Sequence, residues 1–100
     1  MKIELKKFGT ALISRQAGKE ALAAFQSSLK DIPEQEDIIA DFGGVITFSP
    51  SWGDEFLTPL AQRYSDRFKL VHTENPSVKA SLDILEKSNN IKFSIQKLVW

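Results

Sequence analysis

Apolar and polar residues along the chain alternate in two rhythms, one with a period of two and one with a period near 3.6. Residues 2–6 alternate, with Ile3 and Leu5 on one side, which predicts an edge strand. Thr10 to Ile13 offers a short second strand or leads directly into a helix. From Ser14, a good cap, the residues Ala17, Ala21, Leu22, Ala24, Phe25 and Leu29 recur at helical spacing. That helix is expected to end near Lys30, because Pro33 pushes the residue before it out of the helical region. The turn from Pro33 to Asp37 reads as exposed loop.

Asp37 to Phe42 is short and almost continuously apolar, the pattern of a strand covered on both faces. Gly43-Gly44 breaks it, and Val45 to Phe48 is a further extended piece. From Trp52 onward, Phe56, Leu57, Leu60, Ala61 and Tyr64 trace a helical stripe that contains Pro59. An interior proline removes a backbone donor and crowds the preceding turn, at about 3 kcal/mol. The expectation is a kink near Glu55–Thr58, or a helix restarted with Thr58 as cap and Pro59 at its first position.

Arg67 to Thr73 alternates like a strand, with Phe68, Leu70 and finally His72 on one face. Asn75-Pro76 is a cap followed by proline, so a helix begins there, with Val78, Leu82 and Leu85 as its buried face and Ser88-Asn89-Asn90 as its stop. The tail from Ile91 to Trp100 alternates at Ile91, Phe93 and Ile95, slips at Leu98, and reads as a final strand. The order β, α, β, α, β, α, β predicts an α/β fold: one domain over residues 1–100, with a small mixed β-sheet and helices packed on it.

Composition narrows the function classes. Thirteen basic residues balance thirteen acidic ones, which removes the electrostatic drive toward nucleic acid. The chain has no cysteine and a single histidine, His72, so disulfides, thiolate nucleophiles and multi-histidine metal sites are excluded. No apolar stretch approaches the roughly 20 residues of a membrane span, and the first residues lack an apolar run of signal-peptide length. The expectation is a cytoplasmic protein with no membrane or nucleic-acid partner and no cofactor.

Catalytic signals are sparse. Gly43-Gly44 lacks the spacing and the lysine of a phosphate-binding loop. Asp54-Glu55 is a carboxylate pair, but successive helical residues point about 100° apart, and both read as first-turn acids favoured by the helix dipole. Ser51 reads as the cap of the helix, with Asp54 three residues on as in a capping box. Trp52 stands in the first turn, either as an exposed interface anchor or as a lid tucked under the loop.

The stretch Asp41 to Leu60, "DFGGVITFSPSWGDEFLTPL", resembles the signature of the STAS-like domains, a family of unknown function. That signature is an aspartate-ended strand, a short loop, then Ser-aromatic-small-Asp-Glu-hydrophobic opening a helix; here it is Asp41-Phe42, Val45 and Ser51-Trp52-Gly53-Asp54-Glu55-Phe56. Phe8-Gly9 and Ser14-Arg15 resemble the family's N-terminal piece, so the likeness spans residues 8–88. These domains are similar in turn to the STAS domains of bacterial anti-sigma-factor antagonists. There a kinase phosphorylates a serine at the same loop and so switches binding of an anti-sigma factor. The resemblance implies a non-enzymatic regulatory module whose Ser49, Ser51, Trp52, Asp54 and Glu55 meet a protein partner, a kinase or an anti-sigma-type ATPase, with Ser51 as candidate phosphosite. This sequence lacks the aspartate and one serine of the antagonists' loop, and Trp52 follows Ser51.

Two further expectations stand beside it. The helix N-terminus after the loop is an anion site in outline, which would suit a small nucleotide- or anion-binding protein or enzyme. The apolar face of the tail strand, at a sheet edge, would allow a homodimer.

Overall fold

The computed structural model of the protein describes residues 1–96. In chain order the elements are β1 (Lys2–Glu4), β2 (Ala11–Leu12), α1 (Arg15–Leu29), β3 (Ile38–Asp41), β4 (Thr47–Phe48), α2 (Pro50–Tyr64), β5 (Phe68–Val71), α3 (Pro76–Asn89) and β6 (Ser94–Ile95). Two single 3-10 turns, Leu5–Phe8 and Ser65–Arg67, join β1 to β2 and α2 to β5. The chain is α/β, as its periodicity predicts.

Four strands form one sheet in the order β1-β3-β5-β6, and β2 with β4 forms a separate two-stranded ribbon. The sheet expected to be mixed is parallel in every pair among the described residues. The cause is the connections. Each strand of the main sheet is followed by a segment containing a helix before the next main-sheet strand, and such a crossover returns the chain in the same direction. The strand order advances one way across the sheet, so right-handed crossovers put all three helices on one face.

Burial follows that geometry. Ile3, Ala40 and Leu70 stand abreast in register and are all buried. The neighbouring row, Lys2, Ile39 and Lys69, is exposed or half-buried. The strand around Ile39 is therefore covered on one face, where its apolar run predicts two. Ion pairs occupy the open face: Lys2 Nζ lies 3.2 Å from Asp41 Oδ2, and Lys69 Nζ 2.6 Å from Asp37 Oδ2. Of the tail strand, Ser94–Ile95 is the part that pairs among the described residues, beside β5 at the sheet edge. Lys97, Leu98 and Trp100 lie outside the described residues. No helix among the described residues is long and apolar enough to cross a membrane.

Helix boundaries follow local chemistry. Ser14 Oγ accepts from Ala17 N at 3.1 Å to start α1, and Asn75 Oδ1 accepts from Ser77 N at 2.7 Å to start α3 with Pro76 at its first position. Asn90, in the left-handed region at φ 53°, ends α3. α2 runs unbroken through Pro59. A restart at Thr58 is thereby overturned: Thr58 is buried inside the helix, and its Oγ1 has no hydrogen-bond partner among the described residues.

The helices close on one another through two glycines. A Cβ on Gly18 of α1 would lie 2.5 Å from the carbonyl oxygen of Trp52, and one on Gly53 would lie 2.7 Å from both Leu85 Cδ1 and Phe48 Cζ. α2 thus approaches α1 at Gly18 and α3 at Gly53. Between these contacts Trp52 is 1% exposed. Its ring stacks on Phe56 at 4.9 Å between centroids and meets Phe48 at 5.9 Å and Phe8 at 6.1 Å. The indole is a core anchor for all the neighbouring elements.

Gly18 gives a test in which two effects oppose. Alanine in a helix interior is favoured over glycine by about 1 kcal/mol, whereas overpacking against fixed backbone costs about 1–3 kcal/mol. Because the obstacle is the Trp52 backbone, Gly18→Ala is expected to lower stability. Thermal unfolding should show a melting temperature several degrees below wild type; an unchanged or raised value would contradict the close approach.

Candidate functional site

The loop from Asp41 to Ser49 is built from the backbone outward. Asp41, at the end of β3, accepts from Gly43 N through Oδ1 at 2.8 Å, and Val45 N donates to Phe42 O at 3.0 Å. Gly44 has φ +86°, the value a tight turn requires at this point and the reason a glycine stands there. Asp41 is thus a turn-forming residue, 7% exposed.

The remainder of the loop is held on both sides. Toward β2, Thr10 O accepts from Ile46 N at 2.8 Å, and Leu12 O accepts from Ser49 N at 2.9 Å. Toward α3, Asn75 Nδ2 donates to Val45 O at 3.1 Å and to Ile46 O at 2.9 Å. Ser81 Oγ donates to Phe48 O at 2.7 Å, and Ser77 Oγ both accepts from Phe48 N and donates to Phe48 O. A segment tied by this many bonds is a fixed platform for the start of α2.

The cap of α2 is Ser49, where the capping-box spacing to Asp54 predicts Ser51. Ser49 Oγ accepts from Trp52 N at 3.3 Å and donates to Ile13 O, and Pro50 takes the first helical position. The reason is general. Proline fits that position because it lacks the N–H that would be left unpaired there, and the residue before it supplies the cap. Ser51 is half-buried in the first turn, and its hydroxyl makes no hydrogen bond among the described residues.

The carboxylates also stand elsewhere than expected. With Ser49 as cap, Asp54 and Glu55 fall beyond the first turn, which holds no acid. Both reach Arg15 instead: its Nη1 is 3.1 Å from Asp54 Oδ2 and 3.1 Å from Glu55 Oε2. Asn89 Nδ2 of α3 donates to Asp54 Oδ1 at 3.2 Å. Asp54 therefore joins α1, α2 and α3 in one surface network. The hydrogen bond that Arg15 donates to Asp54 holds the guanidinium above its ordinary pKa, with desolvation opposing it and the charges of Asp54 and Glu55 adding to it.

Beside this network is a groove of about 370 Å³ between α2 and α3, lined by Arg15, Pro50, Ser51, Asp54, Ile84 and Ser88 among others. Ile84 on its wall is 49% exposed, and Ile13 at 52% and Ile46 at 67% are exposed elsewhere, beside β2 and β4. The carbonyl of Ile13 accepts from the cap, and Ile46 immediately precedes β4.

The structure thus gathers Ser49, Ser51, Asp54 and Glu55 at one end of α2. It removes Trp52 from the set of partner-facing residues, because the indole is enclosed by Phe8, Phe48 and Phe56. It adds Arg15, Asn89 and Ile84, which sequence reasoning missed. Ile84 carried a signal: it is the large apolar residue of α3 lying off the Val78–Leu82–Leu85 stripe. Arg15 carried none, being 39 residues from Asp54 along the chain. His72 is exposed just past β5, with φ 57°, so the strand face predicted to include it ends at Val71. Among the described residues no three His, Asp or Glu side chains cluster in a way that could hold a metal ion.

No family model matches the chain, and no curated protein or solved structure matches it significantly.

The two serines separate in a stability measurement. Ser49→Ala removes the cap bond and the tie to Ile13, and is expected to cost about 1–2 kcal/mol. Ser51→Ala should change stability by less than about 0.5 kcal/mol. Urea unfolding of the two variants checks the assignment, and equal losses would contradict it.

Proposed function

We propose that this protein is a non-enzymatic regulatory module that binds a protein partner at the end of α2, through the surface made by Ser51, Asp54 and Glu55 with Arg15 and Ile84. The observation that carries this reading is Ile84, 49% exposed on the wall of the groove, beside a loop held rigid from both sides. Large apolar side chains left in water beside an ordered polar rim are the marks of an interaction surface. A platform that is already ordered also loses little conformational entropy on binding. The likeness of residues 41–56 to the STAS-like signature points the same way, and a kinase or anti-sigma-type ATPase is the partner class it implies.

Ser51 is the residue at which such binding would be regulated. Its hydroxyl is free of the cap duty that occupies Ser49. A phosphate there would carry about two negative charges at the positive end of a helix, which favours it, while Asp54 and Glu55 nearby oppose it. A partner covering the groove would have to bury that charge beside Asp54, which opposes binding.

The nucleotide or anion-binding alternative is less favoured by charge. Arg15 is shared by two carboxylates, so these three side chains together carry a net charge of −1. A phosphate approaching this end of α2 meets a surplus of negative charge, which weakens the attraction of the helix terminus.

Paired capture from native extract tests the proposal. Wild type and Ser51→Ala should retain the same protein, and Ser51→Asp about tenfold less of it, with all three baits melting within a few degrees of one another. Equal retention by all three baits would remove the charge-sensitive loop from the account. Thermal stabilisation by millimolar nucleotide, absent with sodium chloride at equal ionic strength, would favour the alternative.

A further inference from the structure

Resting on that interaction reading, the chemistry of the groove identifies what kind of segment fits it. Its α3 wall is formed by Ile84, Leu85, Ser88 and Asn89. Ser77, Ser81, Ile84 and Ser88 follow one another at intervals of four, three and four, so they share a face of the helix. Ser77 and Ser81 are spent on Phe48 O, and Ser88 lines the groove. Ile84 stands opposite the short side chains of Pro50 and Ser51, too small to cover it, and remains 49% exposed. Leu85 adds a little apolar surface beside Gly53, in a lining that is otherwise mostly polar.

The polar end of the groove has the opposite character. Arg15 Nη1 bonds one oxygen each of Asp54 and Glu55, and Asn89 takes the second oxygen of Asp54. Glu55 Oε1 has no partner among the described residues. Lys87, a turn beyond Ile84, is already paired with Asp83 at 3.0 Å. One negative charge therefore stays uncompensated at Glu55, which adjoins the groove through Arg15.

We infer that the groove takes a short peptide segment of a partner protein in which an aliphatic side chain stands close to a lysine or arginine. The aliphatic group covers Ile84, and the cation pairs with Glu55 and Asp54 beside Arg15. Charge complementarity selects this occupant over an acidic or phosphorylated segment, which would face Asp54 and Glu55 directly.

A random dodecapeptide display library selected on the full chain tests this. Enriched peptides should carry a basic residue within about three positions of Leu, Ile or Val. Their affinity should fall at least about tenfold for Ile84→Glu and for the double variant Asp54→Asn/Glu55→Gln, and should weaken as salt is raised. Thermal melts of both variants establish that they fold, and Ile84→Ala, which adds no charge, should lose less than Ile84→Glu. Enrichment of acidic or purely apolar peptides, or of basic ones indifferent to both variants, would overturn the inference. Those results would leave the interaction module standing with its surface elsewhere. No enrichment would also overturn it, and if the native-extract capture were empty as well, the module reading would fall with it.

Discussion

The contact between α1 and α2 at Gly18 is the constraint on which the site depends. Because glycine leaves no side chain there, the α1 backbone comes against the carbonyl of Trp52, and that approach aligns the first turns of both helices. Arg15 stands one turn before Gly18, and Asp54 and Glu55 follow Trp52 by two and three residues. The surface ion pairs are therefore a consequence of the packing beneath them; exposed pairs of this kind have little power to position helices by themselves. The same logic applies on the other side of α2, where Gly53 admits Leu85 and so brings Ile84 and Asn89 to the groove.

Trp52 links the buried layer to the exposed one. Its ring lies among Phe8, Phe48 and Phe56, from three different parts of the chain, while its backbone N–H closes the cap on Ser49. Neighbouring positions thus divide the work: Trp52 and Gly53 face inward and fix where α2 begins, and Ser51 and Asp54 face the groove. A charge added at Ser51 would change what the surface accepts without touching the core. That separation is what a regulated docking surface needs from its scaffold.

Much of the fold was legible because local chemistry and period agree there. Ser14 and Asn75-Pro76 mark their helices, and the runs around Ile38–Asp41 and Phe68–Val71 mark the central strands. The direction of pairing was not legible, since period reports faces and not partners. The β2–β4 ribbon was only half visible because strands of two residues leave almost no pattern. Ser49-Pro50 carries the same cap-then-proline signal as Asn75-Pro76, but Ser51 with Asp54 three residues on has the spacing of a capping box and competes with it. The side-chain set was legible in part. Ser51, Asp54 and Glu55 follow from their place at the start of α2, whereas the burial of Trp52 and the reach of Arg15 depend on elements far apart in the chain.

The central claim is that this end of α2, with the facing side of α3, is the surface that meets a partner. Backbone amide shifts measured on the isotopically labelled protein, with and without the protein captured from extract, test it most directly. The account predicts that the largest changes fall on residues 13–15, 51–55 and 84–89, with little movement at Lys2, Ile39 and Lys69. Changes concentrated on that open face of the sheet, or along Ser94–Ile95 at its edge, would contradict it.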